Sequence, residues 1–240
     1  MKLLFALLMT AFLLPAVAQE KIIFDKNAEK REIKSFQSLK VSQGIRVILH
    51  QGNEEALAIS ADKKEYADAV KTEVVNGELR IYIEQSMNKW WQQLRKTGVQ
   101  VKAYVSYKSL KNIDASSGAH VKIDNSLNEQ HIKVDLSSGA SIAGIINAGT
   151  LTMDQSSGAK SELKGNVQNL SLSASSGAHF NGYGLIAKQG NANASSGGKI
   201  QLTVQDKFTA HASSGGGIIY RGEGTASTHT SSGGKIRKAG

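Results

Sequence analysis

The tripeptide Ser-Ser-Gly begins at Ser116, Ser137, Ser156, Ser175, Ser195, Ser213 and Ser231, at spacings of 21, 19, 19, 20, 18 and 18 residues. A unit this short cannot bury an apolar face by itself, so its tandem copies must be layers of one stack. With the copies aligned on the first Ser, the position three residues earlier reads Ile113, Val134, Met153, Leu172, Ala192, Ala210, Thr228. The position five residues later reads Val121, Ile142, Ser161, Phe180, Ile200, Ile218, Ile236. Both columns are mostly apolar with polar or small residues between them, which is the alternation of half-buried strands. No copy holds a run of helix formers long enough for a helix. Each unit therefore reads as strand, glycine corner, strand and a looser return such as Gly165-Asn166-Val167-Gln168 or Gly182-Tyr183-Gly184. The fold class predicted is all-β: a parallel β-helix, a solenoid of about seven Ser-Ser-Gly coils.

Composition fits that reading. Of 24 glycines, 20 lie from residue 111 onward, and the one proline is Pro15. Glycine turns the corner at positive φ without a Cβ clash. Proline would remove a donor from a ladder in which each strand N–H bonds the neighbouring coil. The absence of cysteine excludes a disulfide framework, a thiolate metal site and a Cys nucleophile.

Residues 1–18 read as a secretory signal peptide: Lys2 is the positive start, Leu3 to Leu14 the apolar run, and Ala16-Val17-Ala18 the small-x-small cleavage site. No later apolar stretch is long enough for a membrane span, so an exported protein of the periplasm or cell surface is expected. Residues 19–110 read as an irregular β-rich N-terminal cap and first degenerate coil, and 111–240 as the repeat β-helix. Within the cap, Ser42-Gln43-Gly44 occupies a corner position. A strand is predicted at Leu57 to Ser60, a short helix at Asp62 to Val70, and a hairpin in which Glu73–Val75 and Leu79–Ile83 flank Asn76-Gly77. A polar insertion at Ser86 to Gly98 precedes a strand at Val99 to Tyr107.

The leading Phe36-x-x-Leu39-x-Val41-Ser42-x-Gly44-Ile45-x-Val47 segment, the Asn-Gly hairpin, the Leu110 to Ala119 junction and the tandem Ser-Ser-Gly coils resemble the "putative auto-transporter adhesin, head GIN domain" family. The resemblance covers about residues 31 to 240. It implies a right-handed parallel β-helix, an adhesin-type role and an origin in Bacteroidota, and it supplies no catalytic residue.

Seven equivalent serines argue for a structural turn and against a nucleophile, which needs one special neighbourhood. Two residues before each first Ser stand Asp114, Asp135, Asp154, Ser173, Asn193, His211 and His229. The three carboxylates should stack on one face, as an acidic ladder either neutralised by lysines or open to a cation. Four residues after the first Ser stand His120, Ser141, Lys160, His179, Lys199, Gly217 and Lys235, a basic or titratable stripe that suits a contact with acidic glycans or lipid headgroups or is a solvated face. Trp90 and Trp91, among cations, suit a sugar or protein contact or a plug over the solenoid end. The histidines do not cluster at metal-ligand spacing, although His211 and His229 could meet across adjacent coils; no cofactor and no metal are expected. The net charge of +9 is spread over both halves, which argues against nucleic acid. The expectation is a non-enzymatic binding or structural module contacting a glycan, an envelope component or a protein. The competing expectation is a carbohydrate-active β-helix enzyme using the three Asp residues.

Overall fold

The computed structural model describes residues 25–96 and 98–239. The signal segment lies outside them. Among the described residues the architecture is a β-solenoid in which sixteen strands join one continuous sheet. The coils are built by β9 (His120–Leu136), β10 (Ser141–Gln155), β11 (Lys160–Ala174), β12 (His179–Ala194) and β13 (Lys199–Ala212). Each pairs in parallel with the next, as the repeat demands. β14 (Gly217–Arg221), β15 (Thr225–Thr230) and β16 (Lys235–Lys238) extend the stack over β13. Both apolar columns point inward: Ile113, Val134, Met153 and Leu172 on one wall, and Val121, Ile142, Phe180 and Ile200 on the other, are buried. Ser161, the polar member of its column, is buried too and donates from Oγ to Gln155 Oε1 at 2.9 Å.

Ser-Ser-Gly works through its backbone. In all seven copies the second Ser has φ of 45–51° and the Gly 73–78°, two successive left-handed residues. The turn closes by a bond such as Ala159 N–H to the Ser156 carbonyl, 3.0 Å. The turn glycine then donates to the second Ser of the following coil: Gly118 to Ser138, Gly139 to Ser157, Gly158 to Ser176, Gly177 to Ser196, Gly197 to Ser214 and Gly215 to Ser232, at 2.9–3.3 Å. Corners and strands are thus locked in the same register.

The return differs from the loose segment predicted. It lies inside continuous strands: Gly165 sits within β11 at φ 115°, where a Cβ would strike the Ile146 carbonyl. Beside it runs a polar ladder. Asn128 Nδ2 donates to Gln51 Oε1 at 3.1 Å, Asn147 Nδ2 to Asn128 Oδ1 at 3.0 Å, and Asn166 N–H to Asn147 Oδ1 at 3.1 Å. The Asn128 and Asn147 side chains thus bridge neighbouring coils at this corner as the turn backbone does at the glycine corner.

In the N-terminal part, β1 (Glu29–Arg31), β4 (Ala56–Ala61) and β7 (Val101–Tyr107) run antiparallel to one another in that order. β7 joins the stack in parallel through β3 (Arg46–Gln51). On the other wall the hairpin of β5 (Val70–Val75) and β6 (Glu78–Ile83) leads through β2 (Ser38–Val41) to β8 (Asn112–Ala115). The predicted short helix is α1 (Lys64–Asp68). The polar insertion, for which no helix is predicted, is helical up to Lys96: a 3₁₀ turn at Gln85–Met87 runs into α2 (Asn88–Lys96).

The second turn Ser is strained, because a non-glycine residue at positive φ costs roughly 1–2 kcal/mol. Ser157→Val, which adds β-branching there, should lower the denaturation midpoint by the equivalent of about 2 kcal/mol. Ser157→Asn, which tolerates this region, should leave the midpoint unchanged or raise it. Chemical denaturation of both variants checks the contrast.

Candidate functional site

The glycine turn separates two outward columns with opposite electrostatic character. Before the turn, strand register places Arg80, Lys40, Asp114, Asp135, Asp154, Ser173, Asn193, His211 and His229 in one line. Adjacent members of such a line sit about 4.8 Å apart. The carboxylates stack as predicted, and most of their charge is answered locally. Lys40 Nζ lies 2.7 Å from Asp114 Oδ2, and Lys133 Nζ lies 3.0 Å from Asp135 Oδ2. The hydrogen bond to Asp114 raises the Lys40 pKa, and that to Asp135, aided by Asp154 and Asp114, raises the pKa of Lys133. Around the three Asp side chains is only a shallow depression of about 240 Å³, shared with Ser137, Ser156, Ser173 and Ser175. Carboxylates that cleave glycosidic bonds need a sugar ring enclosed between them. This face has no wall to hold one.

After the turn, a second column reads Lys102, Arg46, His120, Ser141, Lys160, His179, Lys199, Gly217 and Lys235. It holds no carboxylate. Lys102 contacts Asp25 at 3.5 Å, and His120 Nδ1 is 2.7 Å from Ser141 Oγ. Arg46, Lys160, Lys199 and Lys235 are exposed and engaged in no ion pair among the described residues. The next outward column carries one carboxylate, Glu162, against Lys122 and Arg237. The structure therefore brings His120, Lys160, His179, Lys199 and Lys235 into one line and extends it with Arg46 and Lys102. Ser42, aligned with the first Ser of the repeats, places Arg46 four residues on in the same column.

The tryptophans divide. Trp91 is 2 % exposed, and its indole N–H donates to the Gln43 carbonyl at 2.9 Å. In every later coil but the first full one, the equivalent carbonyl of the second turn residue takes the N–H of the turn glycine below. Trp91 supplies that donor where no lower turn exists. Gln43 completes the closure: its Nε2 donates to the Ile83 carbonyl at 2.9 Å, and its Oε1 accepts from the Ile83 N–H at 2.7 Å. Of the two expectations for Trp91, a ligand contact or a plug over the end of the solenoid, its burial and this hydrogen bond agree with the plug. Trp90 is half-buried, with its ring 6.1 Å from Tyr66 and 6.3 Å from Trp91.

The family model for "Putative auto-transporter adhesin, head GIN domain" matches residues 35–224, most of the chain. The chain belongs to this family. Crystal structures of similar fold include a putative adhesin from Bacteroides fragilis (TM-score 0.77, 16% identity, 88% of this chain and 96% of that one). A putative adhesin from Parabacteroides distasonis is also similar (TM-score 0.70, 15% identity, 88% and 96%). So is a protein from the same species described as a putative lipid binding protein (TM-score 0.63, 17% identity, 90% and 98%). At these identities the likeness is one of fold. No curated protein is detectably similar in sequence. No helix among the described residues is long and apolar enough to cross a membrane.

Trp91→Phe keeps most of the ring's volume and removes its donor. Losing the Trp91–Gln43 hydrogen bond should cost about 0.5–1.5 kcal/mol, read as a lower urea midpoint. An unchanged midpoint would show that the indole N–H does not close the stack.

Proposed function

We propose that this adhesin-family chain is an exported binding module whose basic column contacts an anionic envelope polymer, of which an acidic polysaccharide is the simplest form. The observation that carries this reading is the asymmetry of the two columns: the carboxylates are largely paired by lysines, whereas Arg46, Lys160, Lys199 and Lys235 after the turn are aligned and in no ion pair among the described residues. A line of cations on a rigid ladder meets a linear polyanion along its length, and each contact adds to the last. Adhesin-type function and an exported or surface location agree with the family description. The repeating structural role of the serines, the paired state of the acidic ladder and its open surface support a non-enzymatic role. Trp90, with part of its ring at the surface, is a secondary contact in this reading.

Exposed charge contacts contribute roughly 0.2–1 kcal/mol each and weaken with salt. The double variant Lys160→Ala, Lys199→Ala should therefore bind immobilised polygalacturonate about three- to tenfold more weakly in low salt, with a shallower salt dependence. Parent and variant binding equally well would remove the basic column as the site. Changing Asp114, Asp135 and Asp154 together to Asn should leave polymer chain length untouched in both parent and variant. Depolymerisation by the parent that is lost in the variant would establish the enzymatic reading instead.

A further inference from the structure

The column that begins with cations and carboxylates ends in imidazoles. His211 and His229 are register-paired across β13 and β15, both exposed, with ring centroids 5.8 Å apart and ring planes inclined at 56°. No other two histidines among the described residues face each other across adjacent coils. His120 and His179 share a column but are separated by Ser141 and Lys160. His50 lies 3.6 Å from Asp124, and His131 is paired with Thr150.

We propose that His211 and His229 form a two-histidine site for a borderline transition-metal ion, Zn²⁺ or Cu²⁺, independent of the polymer-binding column. Parallel pairing sends both side chains off the sheet in the same direction, from strands about 4.8 Å apart. Two ring nitrogens on a tetrahedral ion, each 2.0–2.1 Å from it, are separated by roughly 3.3 Å. Rotation of two exposed side chains about χ1 and χ2 closes that difference without moving the backbone. The positions around the pair are neutral: Asn193 follows in the column, and Thr209 and Ser227 flank it. No lysine or arginine at these positions opposes a dication. No group of three His, Cys, Asp or Glu side chains that could hold a metal ion is found among the described residues. The protein's ligands are therefore the two ring nitrogens, completed by water, and imidazole donors select zinc or copper over calcium or magnesium.

The test is isothermal titration of the purified chain, free of any histidine tag, with ZnCl₂ and with CuCl₂ at neutral pH, alongside electron paramagnetic resonance of the copper form. One ion per chain should bind, with hyperfine coupling from two nitrogens. His211→Asn and His229→Asn should each weaken binding by about tenfold or more, because the second bond is intramolecular only while both rings are present. The double variant His120→Asn, His179→Asn should change affinity by less than about twofold, since those rings cannot share an ion. All three variants place an amide on an exposed ladder position, so circular dichroism should match the parent. Parent affinity no greater than that of His211→Asn, or loss of the site in the His120/His179 control, would overturn the proposal.

Discussion

One hydrogen bond organises the repeat: in the six turns of Gly118, Gly139, Gly158, Gly177, Gly197 and Gly215 the glycine N–H donates to the carbonyl of the second turn residue in the next coil. It is available only because two successive residues adopt positive φ, which turns the glycine N–H along the solenoid axis and away from its own strand. Strand ladders alone fix spacing but tolerate slips, and a slip by one residue would exchange inside for outside along a whole wall. A turn that bonds its neighbour at the same two atoms in every coil removes that freedom. The apolar columns, the Asn ladder and both charged columns inherit their alignment from it.

The same bond defines the problem at the N-terminal end. A stack of identical turns leaves the lowest acceptor without a donor, and the chain meets this with side chains. Trp91 approaches from α2 to donate to Gln43, and the Gln43 amide pairs both ways with Ile83. The departure from Ser-Ser-Gly at Ser42-Gln43-Gly44 is thus explained by its neighbour: a serine would be too short to reach the end of β6. The strands β4 and β5 complete the closure by giving the outermost parallel strands, β7 and β6, partners of opposite direction, and β1 adds a further antiparallel strand on β4, so the parallel stack does not continue in that direction as a template.

How much of this was legible in the sequence follows from where the alignment on the first Ser holds. It holds near the turn, so the two apolar columns, the acidic ladder and the basic stripe could be read directly. Lys40 stands two residues before Ser42, so the same alignment also contained the partner of Asp114. It fails at the far corner, because register shifts between Ala143 and Ile145 and between Glu162 and Lys164 change the count. Asn128 stands twelve residues after its first Ser where Asn147 and Asn166 stand ten, and the next coil pairs Asn166 with Ile186, so the three look like loop residues. The helix α2 was hidden for another reason: its surface is mostly Lys, Gln and Arg, and the tertiary partner of its buried Trp91 lies 48 residues away. The ion pairs that neutralise the carboxylates decide which column is open to a ligand, and those depend on side-chain placement that no spacing records.

The central claim is that the Ser-Ser-Gly turns form a hydrogen-bonded ladder that holds every column in register, and amide hydrogen exchange tests it most directly. The N–H groups of Gly118, Gly139, Gly158, Gly177, Gly197 and Gly215 should be protected like strand amides, although they lie in surface turns. Gly233, whose N–H donates to no turn carbonyl among the described residues, should exchange quickly and serve as the internal reference. Exchange of Gly139, Gly158 and Gly177 as fast as Gly233 would contradict the account, because the turns would then be independent and the charged columns would have no common register.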